Sequence, residues 1–401
     1  MSTLHRSLSV VVALALGVAV SVGAAAQDAT DQGSANAHGS IWLERHDDGL
    51  STFYVFHGDG IVTGFHPGLG IGVGLWQPTE PHALTADIGF TGTDPSYTQL
   101  TPGTAELRFD GALDDAGDSM TLTYGPNALG LSTTTAERLK MAPMPPEAGV
   151  ETPPDAGWQP LVGIASRGED GSGITIERYG GRPNYNLLHS DGTWVSINSW
   201  VGPGVGLTAA PDEYHGILTA WFTNDDPDDT EPLVGMVSID PETGAETNAY
   251  GTSGGFYDSA PMEPQEMLDP ATDSQPLAEP DPAWWPALGS LWRETHDDGP
   301  AVITAIHADG TLLAIDPYRG VGVGSWQPTA TDRAAVVIDY YDTDPALDTV
   351  VRGDTTLRGE LQFDPSGDTA TVDYRIKGKP AIGDPVEEMG SMSLERMHLE
   401  G

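Results

Sequence analysis

The chain has 401 residues, with 59 Asp and Glu against 17 Lys and Arg, 50 Gly, 32 Pro and no Cys. A formal charge of -42 repels phosphate backbones and anionic lipid, which argues against nucleic acid as a partner. The lack of Cys excludes disulfides, thiolate nucleophiles and thiolate-held metals, while 38% hydrophobic residues predict folded domains.

Residues 1–26 read as a signal peptide. A short start ending at His5-Arg6 precedes an apolar run from Leu8 to Val20, and Ala24-Ala25-Ala26 offers a small-residue cleavage site before Gln27. The run is shorter than the about 20 residues a membrane-spanning helix requires. The expectation is export with cleavage, a secreted or periplasmic location, and no membrane insertion afterwards. Residues 27–38 read as a flexible N-terminus.

Self-comparison organises the remainder. Gly39-Ser-Ile-Trp42 recurs as Gly289-Ser-Leu-Trp292, His57-x-Asp59-Gly60 as His307-x-Asp309-Gly310, and Gly72-Val-Gly-x-Trp76 as Gly322-Val-Gly-x-Trp326, all at one constant offset. A third, diverged copy lies between them, with His189-x-Asp191-Gly192 and Gly204-Val-Gly206 on the same landmarks; Thr208 replaces the tryptophan and the opening Gly-Ser-x-Trp is missing. Residues 39–140, 157–256 and 287–401 are therefore expected to be three units. The Pro-rich segments 141–156 and 257–286 read as semi-extended linkers with little to bury, Trp284-Trp285 being the exception.

Each unit reads as strands. In the last copy the runs are Ser290–Thr295, Ala301–His307, Thr311–Asp316, Val323–Gln327, Arg333–Tyr341, Asp354–Phe363, Asp368–Ile376 and Ser391–His398, mostly bounded by Asp-Gly, Gly-Asp or Asp-Pro turns. No segment has convincing helical periodicity. Sequential antiparallel strands most economically close into an up-and-down barrel, because closure removes exposed edges. The predicted fold is all-β, with three tandem antiparallel barrels joined by Pro-rich linkers. Leu84, Ala86, Ile88 and Phe90 share one face of a strand, as do Ala334, Val336, Ile338 and Tyr340, and intervening positions such as Thr85, Asp87, Arg333 and Asp339 are mostly polar, so one wall is expected to be apolar and the other wet.

Gly-x-x-Trp on a first strand, a hairpin ending in His-x-Asp-Gly, then Gly-x-Gly-x-Trp and a Gly-Asp before an alternating strand resemble the lipocalin-like (calycin) barrels of secreted bacterial proteins. The resemblance covers the outer copies nearly whole and the middle copy in part. It implies that an arginine on the last strand covers the first-strand tryptophan: Arg138 over Trp42 and Arg396 over Trp292, each a cation–π pair worth about 0.5–2 kcal/mol.

Six inward aromatic residues, Trp76, Phe90 and Tyr124 with Trp326, Tyr340 and Tyr374, are the candidate lining of a pocket for a small hydrophobic or aromatic ligand. The alternative is a solid core, since an eight-stranded barrel is just wide enough to be filled by its own side chains. His46, His57, His189, His296 and His307 beside turn aspartates invite a metal or acid–base reading, but Asp-Gly is what a hairpin needs anyway, so no catalytic residue, metal or cofactor is assigned. Gly251-x-Ser253-x-Gly255 matches a nucleophile elbow without the strand-to-helix context that motif requires. Acidic clusters such as Asp225 to Asp229 and Asp342-x-Asp344 read as solvated surface suited to saline surroundings rather than calcium loops. The expected function is non-enzymatic binding of a small apolar ligand. Alternatives are a solid-packed structural module, or a cyclase or isomerase using a His-Asp pair.

Overall fold

The computed structural model describes residues 37–399 except 47–50, 67–68, 94–99, 126–132, 153–172, 180–181, 199–201, 213, 223–230, 244, 262–265, 268–288, 295–300, 317–318, 344–349 and 380–383. The expected signal peptide, Trp284-Trp285 and the Asp225 to Asp229 cluster lie outside the described residues. Among those described, no helix is long and apolar enough to cross a membrane.

The first barrel comprises β1 (Ser40–Arg45), β2 (Ser51–Phe56), β3 (Ile61–His66), β4 (Gly70–Glu80), β5 (Ala83–Thr93), β6 (Leu100–Leu113), β7 (Ser119–Tyr124) and β8 (Thr133–Leu139). These strands pair in sequence order, and β1 closes on β8 with Trp42 opposite Arg138. The middle sheet comprises β9 (Gly173–Tyr179), β10 (Arg182–Leu188), β11 (Thr193–Asn198), β12 (Gly202–Asp212), β13 (His215–Phe222), β14 (Leu233–Ile239), β15 (Glu246–Thr252), β16 (Gly255–Pro261) and β17 (Glu266–Met267). The second barrel comprises β18 (Ser290–Glu294), β19 (Val302–Ile306), β20 (Thr311–Asp316), β21 (Gly320–Ala330), β22 (Arg333–Thr343), β23 (Val350–Phe363), β24 (Thr369–Lys379) and β25 (Val386–Arg396). It closes through β18 on β25, with Trp292 opposite Arg396.

The protein is thus nearly all-β, with two closed eight-stranded antiparallel barrels and a third sheet. The middle copy differs from the barrel expected of it: its nine strands run in the order β16-β15-β14-β13-β12-β11-β10-β9-β17. The short β17, from the second Pro-rich segment, pairs with β9 and takes the place that β16 would need to close the ring. The Gly251 to Gly255 segment is the β15–β16 hairpin, so the nucleophile-elbow match has no strand-to-helix turn.

Among the described residues, three apolar cores result. Each barrel has its own interior, built around Trp42 and Trp292 respectively. A third, larger core lies outside both: Ile41, Phe53, Val55 and Phe65 on the outer face of the first barrel meet Ile197, Val205 and Leu207 of the middle sheet and Leu313, Val321 and Tyr341 of the second barrel. Strands β1 to β3 are consequently buried on both faces, whereas β7 alternates buried and exposed positions. The expectation of one wet wall holds for the outer half of each barrel and fails where barrel meets neighbour.

The first Pro-rich segment also departs from the expectation of a linker with little to bury. Met141, Ala142, Met144 and Ala148 are buried in the central core, and the Ala142 amide donates to Thr219 Oγ1 at 3.0 Å. Its apolar residues between prolines act as a strap across the middle sheet.

Candidate functional site

The predicted pocket residues do sit inside the barrels. Trp76, Phe90 and Tyr124 belong to the first interior and are at most 7% exposed; Trp326 and Tyr340 are buried in the second, with Tyr374 packed against them. The two tryptophans are also structural. Trp76 Nε1 donates to the carbonyl of His57 at 3.0 Å, and Trp326 Nε1 donates to that of His307 at 2.9 Å. Trp42 and Trp292 are fully buried, each donating its indole N–H to the serine two residues earlier in Gly-Ser-x-Trp.

The first interior is filled. Tyr54, Phe56, Phe109 and Tyr124 make a chain of ring contacts 5.2 to 6.5 Å apart. At one end Glu44, fully buried, accepts hydrogen bonds from Tyr54 at 2.9 Å and Tyr124 at 2.5 Å. Burial, followed by the Glu44 charge, raises the Tyr124 phenol well above its usual range, which keeps it a donor.

In the second barrel the repeat places Thr304, Ile306 and Gly359 where the first has Tyr54, Phe56 and Phe109. Aromatic volume is recovered at one end by Phe363, whose ring lies 5.5 Å from that of Trp292. A cavity of about 40 Å³ remains, walled by Ile306, Leu312, Ile338 and Leu357 and edged by Glu294 and Arg319. Arg319 Nη1 donates to the buried Asp316 carboxylate at 2.6 Å. Burial works against the Arg319 charge, and Asp316 more than restores it.

The sequence did not single out the arrangement that joins the three copies. His57, His189 and His307, each at most 5% exposed, meet in a triangle with ring centroids 4.3, 4.6 and 4.7 Å apart. Each stands at the same place in a hairpin, its amide and carbonyl already engaged: His57 N donates to Ile61 O, His189 N to Thr193 O and His307 N to Thr311 O.

Each histidine faces the motif aspartate of another copy. His189 Nδ1 lies 2.9 Å from Asp309 Oδ2, His307 Nδ1 lies 3.1 Å from Asp59 Oδ2, and His57 Nδ1 lies 3.7 Å from Asp191 Oδ2. At 3.7 Å the last is an ion-pair approach, and that nitrogen's hydrogen bond is with Thr193 Oγ1 at 3.1 Å. The same oxygens accept the next amides along: Ser190 N on Asp309, Ala308 N on Asp59 and Gly58 N on Asp191. Each Oδ1 meanwhile caps its own turn, taking the amide of Ile61, Thr193 or Thr311. Every Asp therefore serves both its hairpin and the neighbouring copy. The recurrence of His-x-Asp-Gly in all three copies was the available signal, and the hairpin requirement explains only half of it.

Gly39 and Gly289 have φ of +61° and +60°, and a Cβ on them would stand 2.8 Å from Asp191 O and 2.4 Å from Asp59 O. Close approach between copies thus requires glycine at the start of Gly-Ser-x-Trp.

Electrostatics at the triangle are strongly coupled. Burial, then the neighbouring His189, lowers His57 to about 4. Burial also disfavours charge on His189, but Asp309 overcomes it and raises that ring. Burial alone would raise Asp191 and Asp309; the facing histidines hold both well below the carboxylate range. Ring nitrogens, one from each histidine, lie within 4.8 Å of one another, a set able to hold a metal ion.

No family model matches this chain, and no curated protein matches it. Among solved structures, the vaccine antigen transferrin-binding protein B from Haemophilus parasuis Hp5 is 9% identical with a TM-score of 0.18, covering 89% of this chain and 74% of that one. A eukaryotic initiation factor is 9% identical with a TM-score of 0.12, covering 88% and 98%. Scores this low carry no argument about fold or function.

Proposed function

We propose that the chain is an exported, non-enzymatic binding protein of two lipocalin-like barrels and a middle sheet, in which the second barrel takes the apolar end of a small amphipathic molecule and the rest is scaffold. The supporting observation is the cavity lined by Thr304 and Ile306, with apolar walls and Glu294, Asp316 and Arg319 at its edge. At about 40 Å³ it is far smaller than the roughly 300 Å³ or more that drug-sized ligands occupy. The occupant is a short alkyl or single-ring group, gaining about 0.8 kcal/mol per buried methylene, with a polar head at Arg319 and its neighbours. The first barrel, filled by Tyr54, Phe56 and Phe109, fits the solid-packed structural role.

The test is calorimetric titration of the full chain with hexylamine, hexanoate and benzylamine, beside a Thr304→Tyr variant that copies the first barrel. Binding of at least one probe, lost in Thr304→Tyr, supports the proposal. No heat with any probe, or equal binding by a folded variant, overturns it.

A further inference from the structure

We propose that His57, His189 and His307 form a three-histidine site for one divalent transition ion of the zinc class, placed where the first barrel, the middle sheet and the second barrel meet.

The first support is the donor set. Three imidazoles converge from three equivalent hairpins, buried to within a few per cent. Nitrogen donors suit zinc, copper, nickel or cobalt, whereas calcium and magnesium require oxygen shells. Thiolate competition is absent in a chain without Cys.

The second support lies outside the ligands. A metal-bound histidine ordinarily gives its other ring N–H to a carboxylate, which fixes the tautomer and aims the remaining nitrogen. Here each Nδ1 faces Asp59, Asp191 or Asp309. The carboxylates are themselves held by backbone amides on both oxygens. Three outer-shell acids around three histidines exceed what hairpin closure needs, since the Oδ1 atoms alone cap the turns. The three carboxylates also bring three negative charges into a buried place, and a divalent ion offsets two of them.

The third support is a break in the repeat. Thr63 Oγ1 lies 3.1 Å from His57 Nε2, and Thr63 is 1% exposed. The corresponding positions of the other copies are Val195 and Leu313. One hydroxyl therefore stands beside a ligand nitrogen at an otherwise apolar level, where it can hold a water or fill a fourth corner. Zinc at about 2.0–2.1 Å from each nitrogen requires tetrahedral N···N separations of about 3.3 Å. The rings must draw together from within 4.8 Å, and His57 must give up Thr63.

The competing account is a metal-free lock of three His–Asp pairs. To separate the two, the full chain is stripped with a chelator and titrated with zinc chloride in molar NaCl and excess magnesium, which occupies the acidic surface. The expected result is one zinc per chain, loss of that binding in His189→Gln, and a 10–100-fold weakening in Asp309→Asn. Failure of the wild-type chain to bind, or unchanged affinity in a folded His189→Gln, overturns the site. X-ray absorption on the zinc-loaded wild-type chain needs no variant. Three imidazole nitrogens at about 2.0 Å support the site, and an all-oxygen shell overturns it.

Discussion

The two barrels share strand order, register and the His-x-Asp-Gly hairpin, yet one is full and the other is not. Tyr54, Phe56 and Phe109 in the first become Thr304, Ile306 and Gly359 in the second. The polar end changes with them: a buried Glu44 held by two tyrosines gives way to Glu294 beside an Arg319–Asp316 pair at a cavity's edge. The His-x-Asp-Gly hairpins recur in both barrels, and so do inward residues such as Trp42 and Trp292, Trp76 and Trp326, and Ile88 and Ile338. Replacements fall on both faces: Tyr54, Phe56 and Phe109 inside, and Phe53, Val55 and Phe65, which become Ile303, Ala305 and Ile315, on the face toward the central core. A repeated framework can therefore keep its hairpin junctions fixed while the apolar packing on either side of the strands diverges.

That contrast can be broken from the first barrel's side. Phe109→Ala is expected to cost about 3–5 kcal/mol by denaturant titration, and to let the first barrel take the probes that fill the second. A cost under about 1 kcal/mol would mean that Phe109 does not hold the first interior together. The polar ends give a smaller, paired effect. Tyr124→Phe removes a hydrogen bond to a buried carboxylate and should cost about 1.5–3 kcal/mol. In Tyr374→Phe the lost bond is to exposed Glu388, and the cost should stay below about 1 kcal/mol. Equal losses would show that the two ends are energetically alike.

Acid tests what the barrels have in common. For the metal-free chain, His57 is lowered from 6.5 to about 4, so the unfolded state takes up protons in that window while the folded state does not. The His57 contribution is therefore lost as pH falls from 6.5 toward 4. Asp191 and Asp309, also lowered, lose theirs at still lower pH. His189 is raised and acts in the opposite sense, its contribution fading as pH rises through its folded value. Thermal midpoints should fall between pH 6.5 and 4 and fall less in His57→Gln; parallel curves would remove His57 as the cause. The smallest effect is salt: raising NaCl to molar levels should lift the midpoint by screening an excess of 59 acids over 17 bases. A flat response would count against that self-repulsion.

Much of the framework was legible from alternation and turns. All eight strand runs read in the last copy coincide with β18 to β25, with ends shifted by a few residues. Leu84 to Phe90 point inward as their period of two requires. Trp42 and Arg138 stand opposite one another because the first and last strands close the ring. The unread part is non-local. Phe53-Tyr54-Val55-Phe56 is a continuous apolar run, the signature of a strand covered on both faces, and it marked the central core. In Met141 to Ala148 the prolines drew attention from the apolar residues between them. The His–Asp pairs link residues more than a hundred positions apart, so hairpin spacing described each motif correctly and could not reveal its partner.

The most direct test of the difference between the barrels is diffraction from crystals under xenon pressure, a probe that enters dry apolar cavities without polar contacts. Xenon density beside Ile338 and Leu357 in the second barrel, with none beside Phe109 in the first, is the predicted result. Xenon in the first barrel, or in neither, would contradict the assignment of the second barrel as the binding unit.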